Sequence, residues 1–514
     1  MDPSTQLPRR NAIKTIAGYA LLTGATAPFS SFSQPSPAYS SPFSASDLAQ
    51  QWRAMSRVGY GPTPALVREM QAAGNAKAWA LQQIDLAATA AQAPPRIAPD
   101  LADFNAPLPQ IFDGAKRERD ARANVKAGNA AADDSPANRR MDFTGLQDPL
   151  HFSRRMVQQA AAWRLTAASR PDEENPLLAR MTEFWFNHLN VYVGKGPVRP
   201  FTGHYVVNVA RAHAFGKFED LLLASARHPA MLHYLDQFQS VAPGSRGGQG
   251  STRGLNENYA RELMELHTLG VDGGYSQADV RALARVLTGW TVDPSASEGF
   301  RFVQRLHDTG DKQVMGKRFP EGLFGGGERE GEQAIRMLAR QPQTARRISL
   351  RLAQFFVADT PPPALVQQLS QTFLATQGDM RAVMRTLLES DAFWAPENRL
   401  FKTPMDFACS ALAAVHSDVS DRRHLVLTMG FLAGAGQPLH GWQTPDGYKF
   451  DAATWMAPEA LTRRADYALA VARQAYDMDY LLPFLSATTR ATIAQEKPAL
   501  RAGLMLASPD FMGK

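Results

Sequence analysis

From about residue 150 onward, apolar side chains recur at three- and four-residue intervals, the spacing of one face of an α-helix. Helices are predicted over 152–169, 175–193, 203–226, 256–270, 276–288, 330–357, 364–376, 379–391, 404–416 and 458–477. Only 299-GFRFV-303 has clear strand character. Upstream, 47–71 reads as helix, turn, helix, because Gly59, Gly61, Pro62 and Pro64 interrupt the pattern. The Ala-rich stretch 75–92 adds another helix. The expected fold class is mainly α: a large multi-helical assembly of packed helical hairpins with one or few short strands.

The breaks in this pattern set the expected organisation. Residues 1–46 form a basic and apolar start followed by a Ser/Pro-rich linker, and 47–92 an N-terminal helical segment. Residues 93–150, rich in Pro, Ala, Asn and both charges, read as an exposed connection, an insertion or a loosely packed helix. Residues 151–480 form the main helical domain, and 481–514 a C-terminal helical tail packed on it.

Composition changes the picture at the N-terminus. Arg9-Arg10-Asn11-Ala12-Ile13-Lys14 resembles a twin-arginine export signal, with Ala12 where that motif usually has phenylalanine. The apolar run from Ile16 to Ala27 is shorter than a bilayer span, and Ala25-Thr26-Ala27, followed by Pro28, resembles a cleavage site. The expectation is a periplasmic or secreted protein with no internal transmembrane span. The net charge of +6 is mild, and no dense Lys/Arg block with interleaved aromatics occurs, so nucleic acid is not an expected partner. The single cysteine, Cys409, allows no intramolecular disulfide and lies in an apolar helical setting, which places it in the core.

Candidate chemistry concentrates in four places. The densest is 256-NENYARELMELHTLGVDGGYSQADV-280. On a regular helix of about 100° per residue, Glu257, Asn258, Arg261, Glu262 and Glu265 share one polar arc, while His267 sits amid the apolar face. The Glu–His spacings of five and two exclude the Glu-x-x-His ligand pattern of di-iron bundles. His267 is therefore expected to be a buried histidine hydrogen-bonded to a neighbouring element. Glu257–Arg261 and Arg261–Glu265 are i,i+4 pairs, which explain those three residues as helix stabilisers. They leave Asn258 and Glu262 unexplained, so Glu262 and Glu265 are candidates for acid–base work or for holding a metal. Gly270 is placed to end the helix, and Ser276 with Asp279 to cap the next one.

The second place is 181-MTEFWFNHLNVYVG-194, where His188 follows aromatic residues and suits a ligand, a base or a satisfied core histidine. The third is His307-Asp308, just beyond the predicted strand. The fourth is the Gly-, Pro- and Trp-rich 436–468, where Trp442, Tyr448 and Trp455 with Asp446 form either a substrate-binding platform or a loop pinned by its own aromatics. The glycine-rich 322-GLFGGGEREG-331 lacks the Gly-Lys-Ser/Thr of a phosphate-binding loop.

Several stretches together resemble the bacterial family catalogued as "domain of unknown function 1800". The carriers are 57-RVGYGPT-63, 184-FWFNHLNV-191, the 256–280 segment, 287-LTGW-290, 307-HDTGDK-312, 342-PQTARRISLRLAQFFV-357, 401-FKTP-404 and 441-GWQTPDGYKFDAATWMAPEALTRR-464, in consistent order from roughly 47 to 477. The resemblance implies a mostly helical exported protein, often encoded beside a second exported family that resembles alkaline-phosphatase-type enzymes. It assigns no reaction and no catalytic residue.

The expected function is that of an exported enzyme, a hydrolase or modifying enzyme acting on an envelope or extracellular polymer. His188, Glu262, Glu265, His307 and Asp308 would supply acid–base groups or ligands for a divalent metal, with Asn258 and Arg261 orienting them. The alternative is a non-catalytic scaffold or polymer-binding module serving a partner exported enzyme.

Overall fold

The computed structural model describes residues 44–128, 149–245, 254–320, 326–416, 422–475 and 478–514. The arginine pair, the apolar run behind it, and parts of the 93–150 segment, of the glycine-rich 322–331 loop and of a second glycine-rich stretch at 243–254 lie outside the described residues. The fold is mainly α. The strands among the described residues form two antiparallel hairpins: β1 (Trp290–Val292) with β2 (Phe300–Phe302), and β3 (Lys312–Val314) with β4 (Lys317–Phe319). The predicted strand at 299–303 is β2. No described helix is long and apolar enough to cross a membrane.

Three predicted helices differ in a physically informative way. The 330–357 stretch is two helices, Glu328–Ala339 and Pro342–Phe356, because Pro342 has no N–H to continue a helix but suits the first turn of the next. The 175–193 stretch ends at His188. The 256–270 stretch is a short α-helix, Asn258–Glu262, that widens into a π-helix, Leu263–Thr268. Within 93–150, Leu108–Lys126 is a helix of 19 residues.

The chain folds as two compact units that interleave along the sequence: one from residues up to 79, 399–436 and 450–514, the other from 80–398 and 437–449. In the first, Ala45–Val58 starts with a Ser44–Asp47 capping box. The predicted turn follows, and the next helix is Pro64–Ala72. Gly61 has φ 138°, and a Cβ there would lie 2.7 Å from the Ser410 Oγ, so this turn demands glycine. Cys409 is buried beside Met405, as expected.

The core of the second unit is aromatic. Phe184 packs on Phe355 with centroids 5.5 Å apart, Trp185 on Phe218 at 5.6 Å, and Phe218 on Phe373 at 5.9 Å. Trp185 Nε1 donates to the Ala214 carbonyl at 3.0 Å, so its polar edge is satisfied inside the core. These contacts seat the C-terminal half of the Pro176–His188 helix between the end of Pro342–Phe356 and the start of Phe218–Arg227.

Candidate functional site

The π-helix decides how the glutamate-rich segment presents its side chains. Its i→i+5 register is visible in Leu269 N–H donating to the Met264 carbonyl at 2.8 Å, and in Thr268 Oγ1 donating to the Leu263 carbonyl at 2.6 Å. Gly270, at φ 92°, ends the helix, and its N–H also reaches the Met264 carbonyl at 3.2 Å. The Leu266 and His267 carbonyls at this C-terminus need outside donors. Arg347 Nε supplies one to Leu266 at 3.1 Å, and His188 Nε2 the other to His267 at 3.0 Å.

His188 is thereby a helix cap. It is buried and stacks on Phe184, and burial, reinforced by Arg351 and Arg347, holds its imidazole well below the ordinary range and neutral. Its Nε2 is committed to the His267 carbonyl, and its Nδ1 is buried with no hydrogen-bond partner among the described residues. His267 is buried as expected, and burial brings it down to about 3. Its ring nitrogens find no hydrogen-bond partner among the described residues; its backbone carbonyl makes the inter-element bond instead.

The polar arc splits in two. Glu257 accepts from Gln277 at 2.7 Å, from Arg281 at 3.2 Å and from Arg261 at 3.5 Å, and Arg261 also donates to Gln277 at 2.9 Å. These residues fasten the segment to the Gln277–Val286 helix, which starts with the predicted Ser276–Asp279 capping box. The orienting role for Arg261 is thus corrected to a structural one, and no Arg261–Glu265 ion pair forms among the described residues. Asn258 is exposed, and its side chain reaches only the Leu235 carbonyl, at 3.4 Å.

Glu262 and Glu265 form the other half. Glu265 accepts from the Tyr275 hydroxyl at 3.3 Å. Glu262 is half-buried; burial raises its pKa, and the charges of Glu265 and Asp446 raise it further against the opposing pull of Arg261. The Tyr234 phenol is raised by burial and by the same two carboxylates, Glu262 and Asp446. Beneath them Arg351 is brought down to about 10 by burial and by Arg347, while Asp446 acts in the opposite direction. Arg347 is lowered by burial, opposed by Glu265 and Tyr275. Three carboxylates, two tyrosines and three guanidinium groups therefore share one electrostatic neighbourhood.

Asp446 arrives there on a loop tied down along its length. Asn190 Nδ2 donates to the Trp442 and Thr444 carbonyls at 3.0 and 2.9 Å, and the Tyr234 hydroxyl donates to the Gln443 carbonyl at 2.7 Å. Asn187 clamps the backbone of Tyr448 from both sides: its Nδ2 donates to the carbonyl at 2.9 Å and its Oδ1 accepts from the N–H at 2.7 Å. Gly447, at φ 74°, permits this approach, since a Cβ there would sit 2.0 Å from the Asn187 carbonyl oxygen. Within the loop, Asp446 Oδ1 accepts from Trp442 Nε1 at 2.8 Å and from Thr444 Oγ1 at 2.6 Å.

The expected aromatic platform is not formed. Tyr448 is buried, with its hydroxyl spent on the Pro438 carbonyl at 2.7 Å, and Trp442 packs on it at 4.8 Å. Trp455 is buried within the other compact unit. The rings of Tyr448 and Trp442 pin the loop.

His307 and Asp308 form a separate cluster. Asp308 receives a bidentate pair from Arg285, at 2.7 and 2.9 Å, and the Gly310 N–H at 3.0 Å. His307 Nδ1 donates to the Thr288 carbonyl at 2.9 Å, and its Nε2 lies 3.3 Å from Glu330, which accepts from Lys312 at 2.7 Å. Burial raises Asp308 and Glu330, but Arg285 and Gly310 at one, and His307 and Lys312 at the other, outweigh it and leave both carboxyls low. No hydrogen bond or ion pair among the described residues joins this cluster to Glu262 or His188. The five-residue metal set is therefore corrected: His188 caps a helix, His307 and Asp308 are internally paired, and no three His, Cys, Asp or Glu side chains among the described residues are grouped as a metal ion requires.

The sequence model of the family described as "Protein of unknown function (DUF1800)" matches residues 53–513. The chain belongs to this family. The matched range takes in 93–150 and extends beyond 477 to the C-terminal helices. No curated protein and no solved structure matches the chain.

One of the family-like segments contributes side chains that the sequence reading passed over, and so does a helix outside them. Arg347 and Arg351 lie one helical turn apart in 342-PQTARRISLRLAQFFV-357, at the edge of the apolar stripe that includes Ile348 and Leu352. Cations at i,i+4 beside an apolar stripe repel one another unless anions face them, and that is the signal that could have found them. Tyr234, last in the Pro229–Tyr234 helix, carries no local signature.

Proposed function

We propose that the protein is an exported hydrolase or modifying enzyme that acts on an envelope or extracellular polymer by acid–base chemistry at the Glu262–Glu265–Asp446 cluster. One observation carries the reading: carboxylates from two chain-distant segments are gathered with too few cations in direct contact, so that Glu262 is pushed toward its protonated form. A carboxylic acid held that way is a proton donor at pH values where an ordinary glutamate has none to give. Asp446, positioned by Trp442 and Thr444, would accept a proton from water or a substrate hydroxyl. Arg347 and Arg351 would stabilise negative charge developing on the substrate. In this reading the chemistry needs only the chain's own side chains.

Export by the twin-arginine route belongs to the same proposal and rests on Arg9-Arg10 and the short apolar run after it. With Arg9 and Arg10 both changed to Lys, the protein should stay in the cytoplasmic fraction; unaltered export would remove the assignment.

The catalytic reading is tested with purified envelope and extracellular polymer fractions, by following the release of soluble fragments. Glu262→Gln should cut release by about 10²–10⁴-fold, the usual worth of a general acid, while leaving the fold intact. Equal release by the wild type and the variant would sink it. A second reading, a scaffold for a partner exported enzyme, is favoured by the Glu257–Arg261–Gln277–Arg281 network, in which half of the polar arc is structural. It predicts no turnover of any fraction, with partner capture unaffected by Glu262→Gln.

A further inference from the structure

A second feature of the same unit shares no side chain with the carboxylate cluster. A cavity of about 450 Å³ opens between the Leu108–Lys126 helix, the Gly196–Phe201 turn and the Pro229–Tyr234 helix. That volume is in the range of small-molecule sites. Its wall is a run of rings: Phe112 and Phe201 have centroids 4.5 Å apart, Phe201 stacks on His233 at 6.1 Å, and His233 meets Phe238 edge-on at 4.6 Å. Burial, only partly opposed by Asp236, brings the His233 imidazole down to about 4, so near neutral pH this ring is an uncharged part of the wall. Its Nδ1 is buried with no hydrogen-bond partner among the described residues, so the ring meets the cavity as an apolar face.

The lining also carries three guanidinium groups, on Arg119, Arg122 and Arg199, against a single carboxylate, Glu118. Glu118 is already committed: it accepts from Arg122 at 2.6 Å and from the Ser153 N–H at 3.0 Å. Arg199 spends its Nε on the Val193 carbonyl at 3.1 Å, and Arg119 is exposed. Apolar depth and the guanidinium groups of Arg119 and Arg199, which form no ion pair among the described residues, together select one kind of occupant. An inorganic anion would leave the rings in water, and a neutral hydrophobe would leave the guanidinium groups unused.

We propose that this cavity binds a small amphipathic carboxylate, with its alkyl or aryl body along the Phe112–Phe201–His233–Phe238 wall and its carboxylate at Arg119 and Arg199. Decanoate titrated into the folded protein by calorimetry is the test. One saturable site is expected. Arg119→Glu, a change at an exposed position, should weaken it by about tenfold, corresponding to ~1.4 kcal/mol, and Ala115→Trp, which fills the cavity from its lining, should abolish it. 1-Decanol should bind more weakly than decanoate. Circular dichroism confirms that both variants fold. No saturable binding to the wild type, undiminished binding in both variants, or equal affinity for decanol would each overturn the proposal.

Discussion

Two clusters in the second unit contain the same kinds of residue and behave in opposite ways. Around His307, each carboxylate faces a cation at hydrogen-bonding distance: Asp308 meets Arg285, and Glu330 meets Lys312 with His307 beside it. Both carboxyls are held below their ordinary values. Around Glu262, three carboxylates gather, and the nearby arginines are spent elsewhere, Arg261 on Gln277 and Arg347 on the Leu266 carbonyl. There the carboxyl of Glu262 is raised. The number of charged groups does not separate these two clusters. What separates them is whether each charge has its own partner.

The sharpest way to break the comparison is to unbalance the matched cluster. Lys312 is buried, its side chain 0 % exposed, and it neutralises a carboxylate whose own side chain is 5 % exposed. Lys312→Met would leave Glu330 with only the His307 imidazole for company. Removing one partner of a buried pair costs about 3–5 kcal/mol, so the urea midpoint should fall sharply, with a smaller loss at low pH, where Glu330 can be protonated. A midpoint within experimental error of the wild type would show that the cluster is not structural.

The unmatched cluster should break differently, through its geometry. Gly447→Ala forces a left-handed φ on a residue with a side chain and drives a methyl against the Asn187 carbonyl. Backbone strain of this kind costs roughly 1–3 kcal/mol. The loop can relieve it by lifting off Asn187, which would move Asp446 away from Glu262. The expected result is a modest loss of stability with a disproportionate loss of polymer-cleaving activity. Equal loss in both, or in neither, would mean that the loop does not position the second carboxylate.

How much of this was legible in the sequence depends on how far each partner lies along the chain. Helices were legible because their periodicity is local, and so were the ends marked by Gly270 and Ser276; the break at Pro342 was passed over because the apolar spacing runs on through it. The π-helix was not: whether the Leu263 carbonyl meets the residue four or five positions on is decided by what packs on the widened turn, not by residue type. His188 and His307 read as equivalent candidates because their partners, the His267 carbonyl and Glu330, lie 79 and 23 residues away. Glu262 stood out because the i,i+4 pairs leave it without a partner, and no hydrogen bond or ion pair reaches it among the described residues, although the charge of Arg261 acts on it. Asp446 as its companion depends on a chain return that no local pattern encodes. Arg351 was hidden by the habit of reading arginine beside an apolar stripe as a solvated edge.

The smallest effect gives the most direct measure of the difference, because the two clusters bend the pH dependence of stability in opposite directions. Asp308 and Glu330 have folded pKa values below their ordinary 3.8 and 4.5, so their contribution is fully present above those values and is lost as the pH falls through the folded ones. Glu262 is raised above its ordinary 4.5, so the folded state binds its proton more tightly than the unfolded chain does. Its contribution is favourable below 4.5 and declines as the pH rises from there to the raised folded value, beyond which it is flat. Glu262→Gln removes the titrating proton and nothing else in the cluster. The stability of the variant relative to the wild type should therefore rise across that window and then level off, by less than about 1 kcal/mol, because water screens a half-exposed side chain. Urea midpoints for both proteins between about pH 4 and pH 8 measure the difference. A flat difference would mean that Glu262 is as well partnered as Glu330, and a falling one that its carboxylate is stabilised by the fold, and either result would take the proton donor out of the proposed site.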